Sequence, residues 1–235
     1  MSDYSDGQRP SVRRFVNRTR RSLVERIRWR VGYYHDLMLP PFPDEGLQQR
    51  TVIVRPYTKT DVEGYAEILR EKSSAPARLP PITGSMREWH ADVLEAVRLH
   101  RGPYHLAVVF GSEQAYAGTI ILEPLRDPGQ SVELTIALHP RAQRQTVGPR
   151  AAMMVIRWLL DSGVHRVETR HSPTNSVSCR GSTGIGLPKE GVARAGTPIP
   201  NDGVVEWQDT CIHAVVNEAH PRVEESQPAA DPATR

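Results

Sequence analysis

The chain has 235 residues, with 30 lysines and arginines, 27 acidic residues and a net charge of +3 at pH 7. This length suffices for one well-buried domain with appendages. No apolar run approaches the ~20 residues of a membrane-spanning helix, and the N-terminus lacks the apolar segment of a secretory signal. Two cysteines are too few for a disulfide framework or a thiolate metal site, and the nine histidines lack HxxxH or HxH spacing. We therefore expect a cytoplasmic protein that binds no metal.

The positive charge is concentrated near the N-terminus. Residues 11–30 hold eight arginines and one acidic residue, so the rest of the chain is net negative, at −4. Apolar residues recur at helical spacing over 11–39, which predicts a basic helical extension between a disordered segment, 1–10, and a proline-rich linker, 40–50. Such a helix can pack its apolar stripe on the domain, or bind a polyanion or an acidic protein. The sequence leaves these alternatives open.

The remaining chain predicts one domain over residues 51–218, followed by a disordered tail over 219–235. Capping-box-like sequences, TKTD and SMRE, mark the starts of two helices, and a Gly-Ser pair marks a hairpin turn. The predicted elements, in chain order, are strand 51–57, helices 61–71 and 86–99, strands 104–111, 115–124 and 131–139, helix 149–162, strand 165–171, a short helix after Asn175, and strands 190–195 and 204–216. This order is typical of an α+β domain built on a mixed sheet.

A polar turn, RAQRQTVG, joins strand 131–139 to the helix that follows. Backbone N–H groups at a helix N-terminus lack intrahelical partners and, together with the helix dipole, favour an anion such as a phosphate. Arg144 and Arg150 could add charge-assisted hydrogen bonds to such a group. The alternative is an ordinary polar turn without a ligand.

This turn and the segment after the next strand resemble the acetyl-CoA site of GNAT acetyltransferases. The family's turn reads Q/R-x-x-G-x-G/A, and Gln143 and Gly148 match it, whereas Thr146 replaces the first glycine. Glycine allows the closest backbone approach to phosphate, but threonine keeps the N–H donors and adds a hydroxyl. The family's downstream N-x-x-S is present as Asn175 and Ser178. An asparagine that only caps a helix is the alternative at that position.

Within the family, the chain is most similar to the branch that acetylates the N-termini of ribosomal proteins. That branch continues N-x-x-S with an arginine, a glycine, a Glu-Gly pair and a closing W-x-D. The corresponding residues here are Arg180, Gly186, Glu190, Gly191, Trp207 and Asp209. Gly184 and Leu187 depart from the branch's basic and aromatic residues, and Thr197 stands where some relatives have a glutamate. The resemblance implies a GNAT-like mixed sheet flanked by helices over residues 51–218.

The resemblance implies that acetyl-CoA is the acyl donor, bound between the turn and the Asn-x-x-Ser helix. The backbone N–H of Ala137 would polarise the acetyl carbonyl. The implied cofactor-binding residues are Ala137, His139, Gln143, Arg144, Thr146, Val147, Gly148, Arg150, Asn175, Ser178 and Arg180.

The resemblance also implies the catalytic groups. Glu133 takes the position of the general base in several members, and the apolar residues on both sides predict that burial raises its pKa. A solvent-facing or salt-bridged strand acid is the alternative. The tyrosine that many members use as general acid on the fourth helix is absent here. The resemblance instead implies Ser178, because this branch can use the serine of N-x-x-S at the thiol. His171 is an outside candidate for proton transfer, and we expect Cys179 to be a small packed residue.

The function these patterns favour is transfer of an acetyl group from acetyl-CoA to a primary amine, on either a peptide N-terminus or a small molecule. The alternative is a GNAT scaffold that has lost catalysis and binds acyl-CoA, nucleic acid or a protein. Thr146, Gly184 and the missing tyrosine favour the alternative, whereas Glu133, Asn175 and Ser178 favour the enzyme. Release of free thiol from acetyl-CoA with a panel of amines separates the two hypotheses.

Overall fold

The computed structural model describes residues 38–71, 79–125, 131–201 and 204–219. The expected disordered segment 1–10, nearly all of the basic extension and the tail from residue 220 lie outside the described residues. The elements are β1 (Leu47–Gln49), β2 (Val52–Pro56), α1 (Asp61–Arg70), α2 (Met86–Arg98), β3 (Tyr104–Phe110), β4 (Ala115–Pro124), β5 (Ser131–Leu138), a 3₁₀ turn (Pro140–Ala142), α3 (Val147–Asp161), β6 (Arg166–His171), α4 (Ser176–Gly184), β7 (Lys189–Asn201) and β8 (Val204–Val216).

The strands form one eight-stranded sheet in the order β1-β2-β3-β4-β5-β6-β8-β7. The neighbouring strands of this described sheet pair antiparallel, except for β5 and β6, which run parallel. A parallel pair needs a crossover connection, and α3 provides it between β5 and β6. The predicted α+β class and mixed sheet are confirmed.

Helices cover both faces of the sheet. α3 lies on one face and packs apolar residues such as Val155 and Leu159 onto buried strand residues such as Val54 and Leu106. α1 and α2 lie on the other face and build an aromatic cluster in which the Tyr65 and Trp89 rings stack at 5.0 Å. None of the helices that the structure describes is long and apolar enough to span a bilayer.

Local signals fixed most element boundaries. The reciprocal capping box at Ser85 and Glu88 is present, and α2 starts directly after it. At α1 only half of the expected box forms. Asp61 accepts the backbone N–H of Thr58, but the side chain of the N-cap, Thr60, makes no capping bond to the helix and instead pairs with the Thr58 hydroxyl. β7 is much longer than predicted, since a bulge with Ala195 at φ 47° lets pairing with β8 continue beyond it.

The proline-rich segment expected as a linker is packed against the domain. Leu39 and Phe42 belong to the main core, and the Phe42 ring meets Trp158 of α3 edge-on at 5.1 Å. Residues 47–49 add strand β1 to the edge of the sheet. The linker prediction over 40–50 is therefore wrong, because apolar residues between prolines found a tertiary partner that local composition does not reveal.

Candidate active site

A gap between β5 and β6 organises the candidate site. The two strands pair only over Ser131–Glu133 and Arg166–Glu168. Beyond these pairs, β5 continues along β4 to Leu138, while β6 continues along β8 to His171. The C-terminal halves of the two parallel strands therefore diverge and leave an opening through the sheet.

Alternate backbone groups of β5 face this opening. At both ends of its pairing with β4, odd-numbered residues bond to β4, namely the carbonyl of Ser131 and the N–H of His139. The register between them is unbroken. Because backbone direction alternates along a strand, Ala137 also directs its N–H at β4. The predicted role of Ala137 as a donor to the acetyl carbonyl is therefore wrong, and the N–H groups of Ile136 and Leu138 point towards the opening instead.

Two left-handed residues shape the turn between β5 and α3. Arg144 has φ 63° and Thr146 has φ 58°. Positive φ is uncommon for any residue except glycine, and it is least favourable for a β-branched residue such as Thr146. Thr146 thus keeps a backbone that favours glycine, the residue of the family motif at this position. It is the N-cap of α3 but makes no side-chain cap bond, so its hydroxyl does not occupy the first N–H groups of the helix. The departure from the motif lies in the side chain and not in the backbone path.

The start of α3 packs closely on β5. Val147 and Gly148 are its first residues, and the third is proline, which has no N–H to offer. A Cβ atom on Gly148 would lie 2.8 Å from the Cδ1 atom of Leu138. Gly148 therefore allows a close contact between helix and strand, and a larger residue would require the Leu138 side chain to move. Arg150 follows in the same turn and is half-buried.

His139 makes structural hydrogen bonds through its ring and its backbone N–H. Its Nδ1 accepts the N–H of Arg141 at 3.2 Å, so its Nε2 carries the proton and donates to Glu67 of α1 at 2.9 Å. This hydrogen bond lowers the pKa of the Glu67 carboxyl. The backbone N–H of His139 is also occupied, by the carbonyl of Ala117. His139 therefore caps the 3₁₀ turn and ties it to α1, and its role in cofactor binding stays a prediction.

The Asn-x-x-Ser motif opens helix α4. The Oδ1 atom of Asn175 accepts the N–H of Ser178 at 3.0 Å, so Asn175 caps the helix, and its Nδ2 group takes no part in that cap. Ser178 is half-buried and Arg180 is exposed. α4 is fixed to β6 by a 3.0 Å hydrogen bond between the hydroxyls of Ser182 and Thr169.

Glu133 ends the paired part of β5 and belongs to a network of alternating charges. Its side chain is buried and its carboxylate lies 3.8 Å from Nε of Arg170. Arg170 and Arg166 both donate to Glu168, at 2.6 and 2.9 Å, and Arg166 also donates to Glu190 at 2.8 Å. The salt-bridged state considered for Glu133 is therefore present, and it lies at the mouth of the opening.

The charged network explains one residue of the downstream motif. Glu190 is the glutamate of the Glu-Gly pair, and the hydrogen bond from Arg166 lowers its pKa. Asp209 of the W-x-D motif accepts the N–H of Ala195 at 2.9 Å and so stabilises the bulge in β7. Leu187, at the position where the branch has an aromatic residue, is fully buried. Trp207, the tryptophan of the W-x-D motif, is 63% exposed.

The two faces of the sheet carry different parts of the candidate site. Glu133 and Ala137 share one face, and Ala137 is linked by register through Thr119 to Ala107, which packs in the α1–α2 aromatic cluster. The turn, α3 and α4 lie on the opposite face. The opening between β5 and β6 connects the two.

Four metal-ligating side chains form a separate cluster that sequence reasoning missed. His171 and Cys179 meet Cys211 and His213 on the α4 face, with all four candidate ligand atoms within 4.8 Å of one another. His171 therefore lies on the face opposite Glu133 and is not brought together with it. The available signal was the Cys-x-His spacing in β8, which puts both side chains on one face of a strand.

Comparisons with known proteins agree with this architecture. A family model described as an acetyltransferase (GNAT) domain matches residues 51–187. A search of curated proteins finds no match. Similar solved structures include a ribosomal-protein-S5-alanine acetyltransferase from Vibrio fischeri, with 21% identity over 73% of this chain and 96% of that chain and a TM-score of 0.58. A spermidine N-acetyltransferase from Vibrio cholerae has 13% identity over 72% and 95%, with a TM-score of 0.57.

A third similar structure contains a bound cofactor. It is a microcin C7 self-immunity acetyltransferase in complex with acetyl-CoA and AMP, with 16% identity over 75% of this chain and 98% of that chain and a TM-score of 0.60. At these low identities the solved structures support the fold alone. The family model, which covers more than half of the chain, shows the family. The chain belongs to the GNAT acetyltransferase family.

Proposed function

We propose that the protein transfers an acetyl group from acetyl-CoA to a primary amine. The observation that carries this proposal is the opening between β5 and β6, with a phosphate-type turn on one face and a buried glutamate at its mouth on the other. Such an opening lets a thioester reach from a cofactor groove to an acceptor site on the far side of the sheet.

The cofactor would lie on the face formed by α3 and α4. The pyrophosphate fits the turn of residues 143–148, where the N–H groups of Val147 and Gly148 and the positive end of α3 favour an anion. Arg144 and Arg150 would add charge-assisted hydrogen bonds. The Nδ2 group of Asn175 is a donor for an amide carbonyl of the pantetheine arm.

The thioester would lie in the opening itself. The N–H groups of Ile136 and Leu138 point there and would polarise the thioester carbonyl, the function first expected of Ala137. An acceptor amine would enter from the α1–α2 face. Glu133, through a water molecule, would take the proton that the ammonium form of the amine must lose. The neutral nitrogen then attacks the carbonyl carbon, the carbon–sulfur bond breaks, and the nitrogen releases its second proton to solvent. The departing thiolate would take a proton from the Ser178 hydroxyl, which regains one from solvent.

The acceptor is proposed only as a class. The Vibrio fischeri protein acts on a ribosomal protein, and the Vibrio cholerae protein acts on spermidine. For this chain we propose either a peptide N-terminus or a small amine, with residues 11–39 as a possible contact for an acidic or polyanionic partner. We also propose that the acetyltransferase domain spans residues 51–218, with the segment from residue 38 packed against it, and that the protein is cytoplasmic.

A specific observation supports the second candidate function, a binding module without catalysis. Thr146 places an exposed, β-branched side chain at the turn where the family motif has glycine. Such a side chain would hinder close approach of a pyrophosphate. In this alternative the cofactor groove binds acyl-CoA weakly or accepts another ligand.

The deciding experiment measures free thiol released from acetyl-CoA with a panel of peptide and small-molecule amines. Glu133→Gln should lower kcat by roughly 10²-fold or more, with little change in acetyl-CoA affinity. Glu123→Gln is the matched control, because Glu123 is the register partner of Glu133 on β4 but is exposed. Equal activity of Glu133→Gln and the control would remove Glu133 from the mechanism. If none of the amines in the panel gives thiol release, the binding module is favoured.

A further inference from the structure

We propose that His171, Cys179, Cys211 and His213 form a structural zinc site that holds helix α4 on the sheet. The site is separate from the chemistry proposed for the opening between β5 and β6. It joins three elements: His171 ends β6, Cys179 lies in α4, and Cys211 and His213 lie in β8.

The geometry fits a four-coordinate metal. Ligand atoms at Zn–S and Zn–N distances of about 2.3 and 2.1 Å lie about 3.3–3.8 Å apart in a tetrahedron. All four candidate atoms already lie within 4.8 Å of one another, so small side-chain rotations would close the set. Both thiols are free. Two thiolates would balance the charge of Zn²⁺, so the site, in which Cys211 and His213 are buried and the other two residues are half-buried, would carry no net charge.

Each of the two histidines keeps one ring nitrogen available for a metal. Nδ1 of His171 lies 2.9 Å from the carbonyl of Ser172, and Nδ1 of His213 lies 3.0 Å from the carbonyl of Leu187. A carbonyl only accepts, so each Nδ1 carries the proton and each Nε2 keeps its lone pair. Both Nε2 atoms are buried, and neither has a hydrogen-bond partner in the described structure. A carbonyl that fixes the far nitrogen is the usual support of a zinc-bound histidine.

The fold holds the four residues together. Cys211 and His213 are two residues apart in β8, so their side chains lie on the same face of the sheet. Cys211 is also the register partner of His171 on β6. Cys179 reaches this face from α4, one residue after Ser178. A metal here would therefore fix the helix that carries the Asn-x-x-Ser motif, and a Cys₂His₂ set with no open position is typical of structural zinc.

The test uses the full chain purified with reductant and without chelator. We expect about one zinc per chain by elemental analysis. After replacement of the metal by Co²⁺, we expect intense visible bands of tetrahedral cobalt and a near-ultraviolet thiolate-to-cobalt band. Only two cysteines exist, so the second band reports on Cys179 and Cys211 alone. Neither readout depends on acetyl transfer, so failure here would leave the proposed function untouched.

Variants locate the metal. Cys179→Ala and His171→Asn should each lose stoichiometric zinc and the cobalt spectrum, with the far-ultraviolet circular dichroism spectrum as the check on folding. His100→Asn is the matched control, because this residue lies outside the cluster at φ 55°, a conformation that asparagine tolerates. The proposal is overturned if the wild-type chain takes up neither zinc nor cobalt, or if Cys179→Ala binds both as the control does. A covalent Cys179–Cys211 disulfide in the reduced preparation would also overturn it.

Discussion

Replacing Thr146 by glycine tests whether the candidate phosphate turn is strained. A left-handed backbone costs a non-glycine residue about 1–2 kcal/mol. Glycine removes that cost but adds about 0.4–1 kcal/mol of conformational entropy to the unfolded chain. Since Thr146 has φ 58° and makes no capping bond, Thr146→Gly should raise the free energy of unfolding by up to about 1.5 kcal/mol.

The matched control changes the same turn at an ordinary backbone angle. Gln143 has φ −67°, so Gln143→Gly gains no relief and should lower the free energy of unfolding by about 0.4–1 kcal/mol. Urea denaturation of both variants, with unchanged m-values, measures the difference. If Thr146→Gly loses as much stability as Gln143→Gly, the argument from strain is refuted. Calorimetric titration of the same variants with acetyl-CoA should show equal or tighter binding to Thr146→Gly, because the backbone donors stay in place.

Three further predictions concern the frame around the site. Gly148→Ala should change the free energy of unfolding in urea by less than about 1 kcal/mol, because its Cβ would meet only the methyl end of the Leu138 side chain, at 2.8 Å, and alanine favours a helix over glycine by about 1 kcal/mol. A loss of more than about 2 kcal/mol would show that Leu138 cannot move aside. Burial raises the pKa of Asp61, but hydrogen bonds from Arg55 and Thr58 outweigh it and the net pKa is lowered. The stability that Asp61 contributes is therefore present above its unfolded pKa of about 3.9 and lost as pH falls through the folded pKa. Asp61→Asn should cost about 1–3 kcal/mol at pH 7, and urea unfolding should show that cost shrinking below about pH 4. A chain beginning at residue 48 should melt at a lower temperature than one beginning at residue 38, because it lacks the buried Leu39 and Phe42. Equal melting of the two shortened chains would contradict their place in the core.

The sequence predicted those features of the fold that depend on local pattern. β8 has its predicted bounds, and α2 starts at its predicted capping box. The order of elements, and with it the crossover through α3, follows from alternating and helical periodicity. Each of these signals acts within a few residues, so no knowledge of tertiary contacts was needed.

The sequence could not predict features that depend on register or on distant partners. The orientation of the Ala137 N–H is set by which residues of β5 bond to β4, and residue type does not encode that parity. The burial of Phe42 depends on Trp158, more than 100 positions away. The histidine–cysteine cluster likewise combines residues of β6, α4 and β8, which spacing rules for contiguous metal motifs do not detect.

The departures from the family pattern affect cofactor binding and proton transfer differently. Leu187 keeps a fully buried apolar side chain where the ribosomal-protein branch has an aromatic one. Thr146 keeps the left-handed backbone that glycine favours. Both substitutions preserve the path of the main chain, and phosphate binding at a helix start depends chiefly on main-chain N–H groups.

Proton transfer, in contrast, depends on individual side chains, and Glu133 is held next to Arg170 in a network shared with Glu168. Cofactor binding can therefore persist in a chain whose catalysis is lost, and the two functions proposed here are separable by experiment. Acetyl-CoA titrated without any amine measures the main-chain site alone, whereas thiol release measures that site together with Glu133 and Ser178. Binding without turnover would assign the loss to the side chains. If neither binding nor thiol release is observed, the impaired part is the phosphate turn, where Thr146 departs from the family motif.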